Sequence, residues 1–269
     1  MPLNPKPEAF GLHNNAEITT SQISTMALLE SMIMMQPKSS SGKGKSREEI
    51  IGDQAKYLQS KTPPVFDLEL IQRKFPTSYE ESMNTVLLQE CVRYNRLLRE
   101  MKVKLPLVQR ALIGEVTMSD DLEKMATSIF DNFVPKSWTS AGYGHLSLKP
   151  LASWIEDLNE RISFLKNWFD NGTPNVFWTS GFFFPQAFLT STMQNCSRSR
   201  KIAIDTLSFQ FNIRDDLKAG DVTEKPADGC YCYGMYLEGC KWDYDTHRLA
   251  DSDPKKLFVE LPMLHLLPV

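Results

Sequence analysis

Histidine is scarce, cysteine is scarce and odd in number, and neither sign of charge dominates. The four histidines (His13, His145, His247 and His265) are scattered, and no H-E-x-x-H, G-x-S-x-G elbow or Cys/His pair can be assembled from them. This removes the signatures of zinc proteases, α/β-hydrolases and thiol enzymes. The five cysteines (Cys91, Cys196, Cys230, Cys232, Cys240) show no disulfide-like spacing, which points to a reducing compartment. Thirty basic against thirty-three acidic residues give a formal charge of −3 with no dense basic patch, so nucleic acid is not an expected partner. Long apolar runs are missing too. The most apolar stretch, Phe177 to Leu189, is interrupted by Thr179, Ser180, Gly181, Pro185 and Gln186 and is too short for a bilayer; no membrane partner is expected. The N-terminal MPLNPKPEAF lacks an apolar signal core and an Arg-rich transit pattern. The expectation is a soluble intracellular protein.

What is present is a substantial core. In 269 residues, 42% are hydrophobic and 10% aromatic, enough for one large or two smaller domains. The first residues, with Pro2, Pro5 and Pro7, read as an extended arm, and Thr19 to Met35 reads as a helix stopped by Pro37. Helical spacing continues over Glu48 to Gln59, with a short turn capped by Asp67. A long helix follows over Ser78 to Met101, where Met83, Val86, Leu87, Cys91, Tyr94, Leu97 and Leu98 share one face. Pro106 is expected to open a separate helix running to Gly114, and Ser119 to cap the next one. Leu151 to Asn171 is bounded by Pro150 and Gly172, and Gly181 to Ser199 reads as a helix bent or begun near Pro185.

After about Lys201 the period changes to two. Ile202, Ile204, Leu207, Phe209, Phe211 and Ile213 form one expected strand, and Cys230 to Leu237 a second. Glu238-Gly239 is expected to turn into a partner strand through Trp242, with Leu257 to Leu261 as one more. The fold class is therefore α+β: a helical body over 1–200, with a flexible Ser/Gly/Lys loop at about 37–45, and a small β-rich unit over 201–269.

Ser39-Ser40-Ser41-Gly42-Lys43-Gly44-Lys45-Ser46 ends like a nucleotide-binding P-loop. That loop needs G-x-x-x-x-G-K-[ST] between a buried strand and a helix, so that backbone N–H groups cradle phosphates. Here Ser39 replaces the first glycine, and the preceding segment is helical. Ser46-Arg47-Glu48-Glu49 fits a capping box, in which the Ser46 hydroxyl and the Glu49 carboxylate satisfy each other's backbone N–H. The stretch is read as a loop plus a helix cap.

Three other groups carry residue types suited to chemistry. Cys230, Cys232 and Cys240 with His247 could hold zinc, but Cys230 and Cys232 fall on one face of an alternating strand and lack C-x-x-C spacing; core cysteine is preferred. The pairs Asp215–Asp216 and Asp243–Asp245 read as turn residues rather than an acid–base couple. The aromatic cluster Trp154, Phe164, Trp168, Phe169, Phe177, Trp178, Phe182, Phe183, Phe184 and Phe188 could line a pocket, yet the spacing Trp154–Leu158–Ile162–Leu165–Phe169 favours a packed core. No residue is put forward as catalytic, cofactor-binding or metal-ligating, and no cofactor is expected.

Several longer stretches are more informative. Phe10 to Ala16 (FGLHNNA), Ser82 to Glu90 (SMNTVLLQE), Ser147 to Trp154 (SLKPLASW), Phe177 to Asn195 (FWTSGFFFPQAFLTSTMQN), Ile204 to Phe211 (IDTLSFQF) and Asp228 to Asp243 (DGCYCYGMYLEGCKWD) resemble the C-terminal region of dynein heavy chains. The resemblance runs from Phe10 to the end and is closest to the axonemal type that drives cilia and flagella. It implies a helical body followed by an antiparallel, β-barrel-like unit that lies against the ring of AAA+ modules and binds no nucleotide. Its implied partners are that ring, the subunits of the dynein complex and, through the parent motor only, microtubules; its implied location is the cytoskeleton of the ciliary axoneme. The resemblance also implies further strands beyond Val269, so the β unit is expected to be incomplete with an open edge. Pro185, Ser191 and Cys196 depart from the family's Thr, Gly and Tyr, and Cys230, Cys232 and Cys240 stand where small apolar residues are usual. The implied role is docking on and tuning the ring of an ATP-driven, minus-end-directed motor without hydrolysis. The alternative is a free-standing interaction module without motor activity.

Overall fold

A computed structural model of the protein describes residues 15–35, 45–139, 147, 149–253 and 256–269. Most of Phe10 to Ala16, the Ser39 to Gly44 half of the P-loop-like stretch, His13 and His145 lie outside the described residues.

The helices are α1 (Asn15–Met35), α2 (Arg47–Lys61), α3 (Leu68–Lys74), α4 (Ser82–Leu112), α5 (Asp120–Phe130), α6 (Lys136–Thr139), α7 (Leu151–Asn171) and α8 (Pro185–Arg200). The strands are β1 (Val176–Trp178), β2 (Phe209–Arg214), β3 (Cys230–Tyr233), β4 (Tyr236–Glu238), β5 (Cys240–Asp243), β6 (Arg248–Asp251), β7 (Phe258–Glu260) and β8 (Met263–Pro268).

Helix starts follow local chemistry. At α2 the Ser46 hydroxyl accepts from the Glu49 N–H at 3.2 Å, and the Glu49 carboxylate accepts from the Ser46 N–H at 2.8 Å. Asp67 and Ser119 cap α3 and α5 without the reciprocal bond, accepting from the N–H groups of Leu70 and Leu122. Ser46→Ala is expected to lower stability by about 1 kcal/mol, read as an earlier midpoint in urea with unchanged slope.

The central helix α4, about 46 Å long at 1.5 Å per residue, runs unbroken through Pro106. The expected break there does not occur. Met101, Leu105 and Val108 are fully buried on either side of the proline, and their burial outweighs the roughly 3 kcal/mol that an interior proline costs. Lys102, whose carbonyl loses its helical donor, is exposed to water. Around α4 pack α2, α3, α5 and α8. Buried Asn95 fixes the approach to α3 by exchanging two hydrogen bonds with the Phe66 backbone, at 2.7 and 2.8 Å. Trp138 of α6 stacks on Trp154 of α7 with centroids 5.7 Å apart.

The β part departs from its sequence reading in several places. Its main sheet has the order β1-β3-β8-β2, with β1 parallel to β3 and the other pairs antiparallel. Two separate ribbons, β4–β7 and β5–β6, complete the described strands, and these sheets are not closed into a barrel. Glu238-Gly239 is not a hairpin turn: β4 pairs with β7 and β5 with β6. Ile204–Thr206 is a 3₁₀ turn, so the expected strand from Ile202 begins only at Phe209. The expected single strand Cys230 to Leu237 is broken at Gly234, whose φ of +77° suits glycine. A Cβ there would also lie 2.6 Å from Trp178 Cδ1, so the glycine lets the indole close onto the strand end.

Strand β8 lies between β3 and β2, with Leu264, Leu266 and Pro268 buried and His265 and Leu267 half-buried between them. Strand β1, lying between α7 and α8 in the sequence, carries the helical part into the same sheet.

Candidate functional site

Three of the motif-bearing segments, Ser82 to Glu90, Phe177 to Asn195 and Asp228 to Asp243, meet where α4, α7, α8, β1 and β3 join. Glu90 of α4, only 1% exposed, reaches the loop before α8. Its Oε2 accepts from the Phe183 N–H at 2.5 Å and its Oε1 from the Phe184 N–H at 3.0 Å. Helix α8 has no side-chain cap of its own, so Glu90 supplies one from another helix, placing a carboxylate at the positive end of α8. Burial pushes the Glu90 carboxyl above the usual range, opposed by the two N–H donors and by the charges of Arg93 and Arg161.

A second polar group lies beside it. Asp157 of α7 accepts from Arg161 Nε at 2.8 Å and from Lys149 Nζ at 2.9 Å. The Tyr94 hydroxyl donates to the Gly181 carbonyl at 3.1 Å, and Arg161 lies over the Trp178 ring at 5.6 Å. Burial raises the Tyr94 phenol well above its ordinary value, so it stays neutral and acts as a hydrogen-bonding group. At the far end of α8, Asn195 accepts from the Ser82 N–H at 2.9 Å and donates to Glu81 at 2.7 Å, tying α8 to the start of α4.

Sequence reasoning missed Glu90, Asp157 and Arg161. One signal was available: Glu90 interrupts the otherwise apolar face of Val86, Leu87, Cys91 and Tyr94.

The aromatic cluster forms the packed floor of this junction. Phe182 and Phe188 stack at 4.9 Å, Phe177 lies 4.9 Å from Phe188, and Trp168 lies 5.3 Å from Phe177. Phe169 packs instead on Phe75, with Lys74 Nζ 5.0 Å above its ring and bonded to the last carbonyls of α7. Trp154 pairs with Trp138, while Phe183 and Phe184 face Arg93. At its rim a shallow groove of about 670 Å³ opens to water where Phe164, Trp178 and Tyr233 meet Asn159, Glu160 and Asn167, and Phe184 is exposed as well.

The other candidates are dispersed. Lys45 pairs with exposed Asp53 at 2.5 Å, and Ser46 is taken by the cap. Cys230 and Cys232 are buried on one face of β3, with the Cys230 sulfur 3.6 Å from the Thr192 hydroxyl. Burial pushes these thiols up to about 12 and about 11, so both are neutral at physiological pH. Cys240 is only half-buried, and His247 bonds to Asp215 at 2.6 Å rather than to sulfur. Among the described residues no three His, Cys, Asp or Glu side chains gather as a metal would require.

The acid pairs are divided between separate partners. Asp216 takes a bidentate pair from Arg214 at 2.9 and 2.8 Å. Asp215 accepts from Trp242 Nε1 at 2.9 Å, which together with His247 holds its carboxyl below the usual range. Asp243 accepts from Asp245 N–H and the Thr246 hydroxyl, the pattern of a turn residue. No described helix is long and apolar enough to cross a membrane.

What this arrangement does is lock these elements together through buried carboxylates and rings. The family model that describes it is the C-terminal domain of dynein heavy chains, which matches residues 22–269, and the protein belongs to that family. Among its relatives, dynein axonemal heavy chain 1 of Rattus norvegicus is 50% identical over 269 residues and that of Homo sapiens 48% over 268. Dynein axonemal heavy chain 3 of Homo sapiens is 41% identical over 268 residues. Each match covers 100% of this sequence but 6% of the relative's length.

Proposed function

We propose that this protein serves an axonemal dynein motor of the ciliary or flagellar cytoskeleton, docking on the AAA+ ring and tuning it without hydrolysing ATP itself. The parent motor, in this reading, steps toward microtubule minus ends, and the protein touches microtubules only through it. The observation that carries the docking role is α1. Ile23, Met26, Leu28, Leu29 and Met32, from the more apolar second half of the helix, are between 49% and 65% exposed. Such a helix is normally buried against something. Here α1 has no extensive packing against another described element. The AAA+ ring is the occupant that family membership favours.

The test uses a recombinant AAA+ ring without its C-terminal domain and the 269-residue protein. Binding is expected, along with a change in the ring's microtubule-stimulated ATPase. Ile23→Lys with Met26→Lys, one turn apart on α1, should weaken binding at least about tenfold, since each buried apolar residue contributes roughly 1.5–3 kcal/mol. Unchanged binding in the double variant, or ATP hydrolysis by the isolated protein, would sink the proposal.

A further inference from the structure

Strand register and helix spacing together build the groove at the rim of the aromatic floor. Trp178 and Tyr233 are paired residues at the ends of the parallel strands β1 and β3, so their side chains stand side by side on one face of the sheet. Phe177 and Cys232, paired one position earlier, are buried on the opposite face. Phe164 meets Trp178 edge-on, with centroids 6.2 Å apart and planes at 89°, and makes a third wall. All three aromatic residues are half-buried. On α7, Glu160, Phe164 and Asn167 recur at the spacing of one helix face and bring a carboxylate and an amide to the same groove. The groove lies at the β1–β3 side of the main sheet, and β2 is the strand furthest from it.

The charge at this groove is one-sided. Glu160 is exposed, and among the described residues no cation lies within ion-pair distance of it or of Glu260. Burial raises the Tyr233 phenol above its ordinary value, and the charges of Glu260 and then Glu160 add to this, so both carboxylates lie near that ring. Arg161, which lies over Trp178, is buried and already paired with Asp157, as is Lys149.

We infer that this groove receives an arginine side chain from a segment of a partner protein. Its guanidinium stacks on Trp178 and Tyr233, while its fork of N–H groups donates to Glu160 and to the side-chain carbonyls of Asn159 and Asn167. A planar guanidinium is weakly hydrated, stacks on aromatic faces and pairs with a carboxylate through two parallel bonds, so it uses rings and acid at once. A lysine ammonium is compact and strongly hydrated, and gives up more on leaving water. An acidic segment is repelled by the two carboxylates. A neutral ligand such as a sugar excludes water from Glu160 without supplying a counter-charge. The site does not involve α1 and does not rest on the ring-docking role.

The test follows the indole N–H signal of Trp178 by NMR in the isotope-labelled 269-residue protein, assigned by its loss in Trp178→Phe. Acetyl-arginine amide is the probe. It should move this signal saturably, with a Kd in the millimolar range expected of one side chain. Acetyl-lysine amide should bind at least about fivefold more weakly, and Glu160→Gln should weaken the arginine probe at least about fivefold. Tyr233→Leu, which leaves the carboxylate in place, should weaken it by a similar factor. No movement of the signal, an equal response to lysine, or binding indifferent to Glu160→Gln would overturn the inference. So would an equal response at Trp242, which marks a general attraction of guanidinium to the surface. Saturation by methyl glucoside but not by the arginine probe would assign the groove to a sugar instead.

Discussion

Asp157→Ala is expected to cost about 3–5 kcal/mol of folding stability, the range for removing one partner of a buried ion pair. Asp157 is 7% exposed and the Arg161 side chain 11%, so water replaces little of the lost contact. Lys149 can turn outward, since its side chain is 53% exposed. Arg161 cannot: its guanidinium lies under the Trp178 ring and against Tyr94. Truncating the aspartate thus strands a charge in the core rather than merely deleting a bond. The double variant Asp157→Leu with Arg161→Met is expected to recover most of the loss, because it removes both desolvation costs and keeps the volume. Urea unfolding of the two variants beside wild type reads both effects. A loss below about 1 kcal/mol in the single variant would contradict this account of the pair.

Glu90→Ala should lower stability by about 3 kcal/mol, because two buried backbone N–H groups and the dipole of α8 lose their acceptor together. Glu90→Gln keeps one carbonyl oxygen and should fall between. The pH dependence has a definite sign. The folded-state pKa of Glu90 is raised above its ordinary value of 4.5, so the native state holds the proton more tightly than the unfolded state does. Stability from this residue is highest below about 4.5 and is lost as pH rises through the raised folded value. Wild type should therefore gain on Glu90→Gln as the solution is acidified across that window. Parallel stability-versus-pH curves for the two proteins would show that the carboxyl is not perturbed as described.

These two groups also mark where sequence reading stops. The caps at Ser46, Asp67 and Ser119 and the bounds of α7 at Pro150 and Gly172 were legible, since a helix terminus is satisfied by residues three or four positions away. The apolar face of α4 was legible from its period, but its continuation through Pro106 was not. Whether a proline breaks a helix depends on what is buried on either side of it.

Family membership was likewise available from linear order, because the motifs are long and specific. What the motifs do for one another was not. That Glu90 caps α8 across 93 positions, and that Gly234 makes room for Trp178, are facts of docking; locally the sequence shows only a carboxylate in an apolar helix face and a glycine in a strand.

The sequence by itself determined most of the helical segments, the local caps at Ser46, Asp67 and Ser119, and the family. The tertiary structure alone decided the strand partners and the placing of β1 beside β3 and of β8 between β3 and β2. A helix closes its hydrogen bonds within a few residues and so shows itself in a short window. A strand is completed only by another strand, whose choice depends on every layer packed against it.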